Sequence, residues 1–241
     1  MLTLFLVDKL EDSNLIEVSG DEAHHAIKVL RINIGEEILI SDGAGNWVRA
    51  SVENIEKKSF AAKVLERGFQ QEKSPRLIVV QGLPKSDRVK DAIEILVESG
   101  VDLIIPWQAD RSISKWQKDS LDKWKSAAVA ATKQSRRFRK PEIIDGLSLS
   151  QLLEIESENS AILVMHESAE TKLSQVVTSK FADMSEIIIV IGPEGGIEEN
   201  EMQLFSENGA LTASLGETIL RTSTAGGISA AILLSKTRWI N

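Results

Sequence analysis

The 241-residue chain has no cysteine and only three histidines. That excludes a disulfide framework and thiolate metal sites, and it leaves little from which to build a zinc centre. No apolar run approaches the 18 or so residues that a membrane-spanning helix needs. The opening stretch, residues 1–7, is apolar but has no basic residue ahead of it, which is wrong for a secretory leader. The expectation is a cytoplasmic protein with no metal and no membrane partner. Internal repeats and low-complexity segments are also missing. With 42% hydrophobic residues the chain can bury one large core or two smaller ones.

Positive charge is scarce overall but unevenly distributed. The net charge of −8 speaks, taken whole, against a nucleic-acid partner. Residues 1–72 carry −5, residues 73–140 carry +7 and residues 141–241 carry −10. Fields from exposed charges fade within roughly 8 Å at physiological salt. A basic middle third can therefore present a local positive face to phosphates inside an acidic chain.

Residues 1–72 read as β-rich with one helix. Leu2, Leu4 and Leu6 alternate, Ser19-Gly20-Asp21 offers helix-start chemistry for residues 22–30, and residues 42–46 read as a hairpin turn. This is a small barrel or curled sheet. Residues 70–75 form a short polar connection and the expected boundary, so the expected domains are 1–72 and 73–241. Beyond the boundary strands alternate with helices: strands at 76–81, 101–107 and 161–165, helices at 86–99, 117–136 and 171–178. That order predicts an α/β layered sheet.

Residues 186–225 organise the rest. Ile187-Ile188-Ile189-Val190-Ile191 has no polar alternation, as expected for a strand buried on both faces of a parallel sheet. It ends in Gly192-Pro193-Glu194-Gly195-Gly196; a helix and a short strand ending in Leu215-Gly216 follow, then residues 217–225 and a last helix. Ligands of such sheets sit at the carboxyl ends of strands, so both glycine loops can border one pocket. A phosphate cradle needs free backbone N–H groups and no negative charge. Pro193 lacks the N–H, Glu194 adds a carboxylate, and the spacing matches neither common phosphate-loop pattern. A neutral or cationic ligand suits the loops better, such as the sulfonium S-adenosylmethionine (SAM), although the first loop alone also reads as a simple turn closing a strand.

The paired loops, with Ile219-Leu220-Arg221 before Thr224-Ala225, closely resemble the SPOUT-superfamily methyltransferases that modify uridine N3 of 16S ribosomal RNA. The resemblance extends over nearly the whole chain. It implies a PUA-like β-barrel domain followed by a SPOUT α/β domain whose last strands form a deep trefoil knot around SAM. The cofactor residues it implies are His166, Ile191, Gly192, Glu194, Gly195, Gly196, Leu215, Gly216, Leu220, Thr224 and Ala225. It further implies a cytoplasmic homodimer acting on 16S rRNA within the small ribosomal subunit.

The RNA-binding candidates follow the same pattern. His24-His25 with Val29-Leu30-Arg31 match the family's barrel motif. Neighbouring helical residues point about 100° apart, so at most one histidine, taken as His25, shares a face with Arg31. Lys85-Ser86-Asp87-Arg88 resembles a family element that puts Lys85 and Arg88 on RNA; it reads equally as a capped helix start. Residues 133–140 hold five positive charges and Phe138, a possible stacking surface for an unpaired base. Gln134, Arg136, Arg137 and Arg139 are the contacts expected there. The chain departs from the family pattern at Lys133, Arg136 and Ser223, where relatives commonly carry an acidic residue, a glycine and a glutamate.

Methylating uracil N3 requires an exposed Watson–Crick edge, loss of the N3 proton and a donor for the charge that develops on O2 and O4. Arg221 is the candidate for that donor; pairing with Glu217 is its structural alternative. No residue stands out as proton acceptor. The small residues Ala225, Gly226, Gly227, Ser229, Ala230 and Ala231 of the last helix suit either a dimer contact or packing inside one subunit. A transfer-RNA target, a non-catalytic RNA-binding protein and a nucleotide-dependent α/β enzyme remain rival readings.

Overall fold

The computed structural model describes residues 2–154 and 159–240. They group into two units, one of Met1–Glu72 with Thr132–Lys140 and one of Lys73–Ala131 with Pro141–Asn241.

The first unit is a curled five-stranded sheet. Its strands are β1 (Leu4–Leu6), β2 (Leu15–Ser19), β3 (Glu37–Ser41), β4 (Asn46–Ile55) and β5 (Ser59–Phe69), ordered β1-β3-β4-β5-β2. Alternate side chains (Ile16 and Val18, Ile38 and Ile40, Val48, Ala50 and Val52, Phe60 and Ala62) fill one core, as period-two strands with one solvated face must. Register shifts at Arg49/Ala50 and Val52/Asn54 bend the long β4–β5 ribbon. The helix α1 (Gly20–His24) widens into a π-turn over His25–Leu30 instead of continuing as a regular helix. Arg31, at φ 55°, closes that turn, and the Ile32 N–H bonds Ala26 O at 3.2 Å.

The basic run belongs to this unit rather than continuing the second. Gly45 N donates to Phe138 O at 2.9 Å, Lys140 N to Gly43 O at 3.0 Å, and Ser41 Oγ to Phe138 O at 3.2 Å. The Phe138 ring stacks on Trp47 with centroids 4.9 Å apart and planes at 12°. Gly68 makes room on this ribbon, since a Cβ there would lie 2.3 Å from the Trp47 ring.

The second unit is a six-stranded parallel sheet. Its elements in chain order are β6 (Arg76–Gly82), α2 (Val89–Ser99), β7 (Leu103–Trp107), α3 (Ser120–Gln134), β8 (Glu142–Ile143), α4 (Leu149–Leu153), β9 (Ser160–Met165), α5 (Leu173–Val176), β10 (Glu186–Ile191), α6 (Glu199–Glu207), β11 (Leu211–Ala213) and α7 (Thr222–Leu234). The last turn of α3, from Thr132, groups with the first unit. The strand order is β11-β9-β10-β6-β7-β8. β10 is buried on both faces: Ile187, Ile189 and Ile191 enter one core, Ile188 and Val190 the other. Gly100, at φ 96°, ends α2, and a single turn of 3-10 helix over Ser86–Arg88 precedes it without a side-chain cap from Ser86. No helix among the described residues is long and apolar enough to cross a membrane.

The last helix packs on α2. A Cβ on Gly227 would sit 2.0 Å from Ile95 Cγ2, and one on Gly226 2.8 Å from Leu96 Cδ2. Gly226, Gly227, Ser229 and Ala230 are buried inside the subunit and serve the internal helix pair, while Ile228 on the same helix stays exposed.

Candidate active site

Three loops meet at the carboxyl ends of β9, β10 and β11, where the geometry of parallel sheets puts ligands. They enclose a cleft of about 420 Å3. Its lining includes Met165, His166 and Glu167 after β9; Gly192, Pro193, Glu194 and Gly196 after β10; and residues 214–222 with Ala225 after β11.

Backbone contacts set the loops. A Cβ on Gly82 would lie 2.6 Å from Gly192 C, so β6 can press directly on the loop after β10. Thr222 Oγ1 donates to Gly192 O at 3.1 Å. The buried Gln81 amide donates to Gly82 O at 3.0 Å and Thr222 O at 3.3 Å. The start of α7 is thereby fixed against β6 and β10. Gly196, at φ 79°, takes the left-handed conformation that closes the turn begun by Pro193, with its N–H on Pro193 O at 2.9 Å.

Nine of the eleven expected cofactor residues come together here: His166, Ile191, Gly192, Glu194, Gly196, Leu215, Gly216, Leu220 and Ala225 line the cleft. Gly195 and Thr224 do not. The side-chain position of Gly195 faces the chain, since a Cβ there would lie 2.5 Å from Arg111 O, so a close backbone approach already requires a glycine at this place. Gly216 is the reverse case, because a Cβ on it would meet nothing within 4 Å.

Arg221 lines the cleft at the cap of α7, where its carbonyl accepts the Thr224 and Ala225 N–H groups at 2.9 Å each. Among the described residues no carboxylate pairs with its guanidinium, so the Glu217 pairing is not formed. Glu194 holds a loop: one carboxylate oxygen accepts the Lys85 N–H at 3.1 Å. The His166 backbone N–H bonds Ala213 O at 2.9 Å, and the Ser168 backbone N–H reaches the His166 ring at Nδ1, 3.3 Å away.

Two residues were not singled out in the sequence. Lys172 Nζ donates to Ser214 Oγ at 3.1 Å and Gly216 O at 3.0 Å, pinning the loop after β11. A lysine in a polar loop gives no sequence signal for this. Glu167 also lines the cleft; its place two residues past the buried strand β9 is the signal that would have found it. A further pair, Arg111 and Glu198, bonds at 2.7 Å behind the Gly195 turn; the Glu198 carboxylate raises the guanidinium pKa further.

The RNA-binding candidates divide between the units. Lys85 and Arg88 stand in the second, and His25, Arg31, Gln134, Arg136, Arg137 and Arg139 in the first. His25, Arg31 and Gln134 are exposed. Arg88 is neutralised by Asp91 at 3.0 Å and Asp87 at 3.7 Å. Arg139 is committed to the fold of its own unit: Nε donates to Gln70 O at 2.6 Å, Nη1 meets Glu72 at 3.1 Å, and the guanidinium lies 5.2 Å from the Phe69 ring centroid. Lys133 bonds Glu22 at 2.5 Å. The Phe138 ring is stacked on Trp47, so the expected base platform is already occupied on that face. Arg136, at φ 55°, has no side-chain partner among the described residues.

Comparison with known proteins agrees with this architecture. A model of the RNA methyltransferase domain matches residues 71–234, and one of the RNA methyltransferase PUA domain matches residues 18–65. The chain is 37% identical to the ribosomal RNA small subunit methyltransferase E of Mycobacterium bovis, covering 98% of this chain and 93% of that one. It is 30% identical to the Bacillus subtilis protein of the same name, covering 90% and 88%. A structure of a Legionella pneumophila protein, described as a methyltransferase in complex with the bound cofactor SAM, superposes with a TM-score of 0.85 at 26% identity over 98% of each chain. The chain belongs to the RNA methyltransferases, and among them to the ribosomal RNA small subunit methyltransferase E family.

Proposed function

We propose that the chain transfers the methyl group of SAM to N3 of a uridine in 16S rRNA of the small ribosomal subunit, in the cytoplasm and as a homodimer. The observation that carries this is Arg221, without a carboxylate partner among the described residues, on the wall of a cleft built from the three carboxyl-end loops.

The residues present fit the cofactor. At about 420 Å3 the cleft lies within the roughly 300–1,000 Å3 usual for small-ligand sites. Ile191, Leu215, Leu220 and Ala225 give apolar walls, the missing side chain of Gly216 leaves open space, and the loop after β10 holds Pro193 and Glu194 where a phosphate site would need free N–H groups. Bound SAM supplies a methyl group activated by the sulfonium charge.

The chain supplies position and charge. Lys172, Thr222 and Gln81 hold the loops rigid, which is what a near-attack distance of about 3 to 3.5 Å demands. Arg221 offers a permanently charged planar fork to the uracil oxygens as negative charge develops on them. Glu194 is engaged by the Lys85 N–H and serves the loop. Among the relatives, the M. bovis and B. subtilis proteins are named for the small ribosomal subunit, which supports that substrate over transfer RNA.

A mass map of modified nucleosides in 16S rRNA, from cells with and without the gene, tests the reading. Loss of one N3-methyluridine is the expected result. An unchanged map, or loss from transfer RNA alone, would overturn it. The dimer is tested by light scattering at micromolar concentration: a mass about twice 26.5 kDa is expected, and 26.5 kDa itself refutes the dimer.

A further inference from the structure

An open groove of about 1,170 Å3 lies in the second unit between the loop after β6 and the segment that leads into α3. Its floor is apolar, with Leu83, Val89 and Ala127 beside Trp116 and Trp124. The two indoles meet edge to face, centroids 5.3 Å apart at 79°. Trp116 is fixed in place: its Nε1 donates to Asp145 Oδ1 at 2.6 Å and its backbone N–H to Gln108 Oε1 at 2.8 Å. Ser114 Oγ donates to Pro84 O at 2.9 Å and ties the two walls together. Ile113, on the lip, is 67% exposed.

Four lysines stand on the walls. Lys123 is spent on Asp119 at 2.7 Å, where it also holds that carboxyl below its ordinary pKa, and Lys90 on Glu94 at 3.5 Å. Among the described residues the side chains of Lys85 and Lys115 have no partner. Two uncompensated ammonium groups beside a fixed aromatic floor match a chain that carries phosphates and unpaired bases. An apolar protein surface would cover the floor but leave both charges unanswered. The groove also shares a wall with the cleft, because the Lys85 N–H bonds Glu194 of the cleft lining at 3.1 Å.

We propose that this groove seats the single-stranded RNA immediately flanking the target nucleotide, with phosphates at Lys85 and Lys115 and one base against Trp116. The inference rests on the RNA methyltransferase reading and names where its substrate lies.

The test uses the full chain and a labelled single-stranded RNA oligonucleotide containing uridine, titrated by fluorescence anisotropy in the presence of S-adenosylhomocysteine. Ile113→Glu and Lys115→Glu change exposed side chains on the groove; Lys118→Glu changes an exposed lysine outside its lining. Each groove variant is expected to weaken RNA binding by about tenfold, because each brings a negative charge to a groove proposed to hold phosphates. Lys115→Glu should lower the slope of log K against log salt by about 0.7. Lys118→Glu should leave affinity within about twofold, a change too small for a lost phosphate contact. RNA should quench tryptophan emission less in Trp116→Phe than in the wild type.

Equal RNA affinity for the groove variants and the wild type overturns the proposal, and so does an equal loss in Lys118→Glu. If RNA affinity holds while Ile113→Glu halves the mass in light scattering, the groove is a contact between copies and the proposal falls. Binding of S-adenosylhomocysteine is read separately: its absence in the wild type refutes the methyltransferase reading, whereas its retention in variants that lose RNA isolates the groove.

Discussion

A single guanidinium and a single missing side chain make the sharpest claims about the cleft. Arg221 has no carboxylate partner among the described residues, which leaves its charge available to substrate. Removing one preorganised donor of this kind costs about 2.7–4 kcal/mol of transition-state stabilisation, a hundred- to thousandfold in rate. Arg221→Ala is expected to lose that much in single-turnover methylation while SAM affinity changes little, and Arg221→Lys to recover little of it, because a point charge does not reproduce the fork. Equal losses in rate and affinity would make Arg221 a loop residue. Gly216 gives the complementary prediction. A Cβ there meets nothing within 4 Å and its φ is not left-handed, so Gly216→Trp should fold normally yet fill the cleft and abolish the calorimetric signal of SAM. Full SAM binding by that variant would place the cofactor elsewhere. Most residues of the cleft were legible only through the paired loops and the family they resemble, since the first glycine loop alone reads equally as a turn closing a strand. Gly195 shows the limit, since sequence cannot tell a glycine that admits a ligand from one that admits the Arg111 backbone. Lys172 shows another, because its role depends on reaching Gly216 O across 44 residues of chain.

At the level of elements, α7 joins stability to the site. It is apolar on nearly every side, which fits a helix buried in the core. Its first turn carries Thr222 and Ala225 into the cleft, and its next residues rest on α2. Gly227→Ala would put a methyl 2.0 Å from Ile95 Cγ2, an overlap that one side chain cannot relieve without moving a helix. The gain in helix propensity, about 1 kcal/mol, competes with an overpacking cost of about 1–3 kcal/mol. Net destabilisation in urea is expected, with weaker SAM binding as the start of α7 shifts. Gly226→Ala meets Leu96 Cδ2 at 2.8 Å, the far end of a flexible side chain, and should cost less. Reversal of that order would mean that the helices separate easily. Composition alone could not choose between an inner and an outer role for these small residues, because the choice depends on what faces them. The π-turn after α1 was likewise hidden, as the capping signals at Ser19-Gly20-Asp21 mark where a helix starts and say nothing of how its last turn is wound.

Taken over the whole molecule, an acidic protein must reach a polyanion through local charge. The run at Thr132–Lys140 brings the first unit to zero net charge and leaves the second with all of the −8. The sequence made the run conspicuous, but not its division of labour, which depends on pairings up to 111 residues apart. Lys133 and Arg139 are tied to Glu22, Gln70 and Glu72, so the fold spends them. Arg136 and Lys140 have no side-chain partner among the described residues, so they are the two charges of the run that the fold does not spend. Phosphate contacts release counterions, and each one lost flattens the slope of log K against log salt by about 0.7–0.9. Arg136→Ala combined with Lys140→Ala is therefore expected to lower that slope by about 1.4–1.8 with no change in urea stability. Arg139→Ala should do the opposite, lowering stability of the first unit through loss of the Gln70, Glu72 and Phe69 contacts while the slope stays near that of the wild type. Titrations of an RNA fragment between about 50 and 200 mM salt, the range over which multi-phosphate binding changes most, read the slopes, and urea melts read stability. A full slope in the double variant would turn the run into a strap that folds the first unit and nothing more, and RNA affinity would then have to come from Arg31, Lys85 and Lys115.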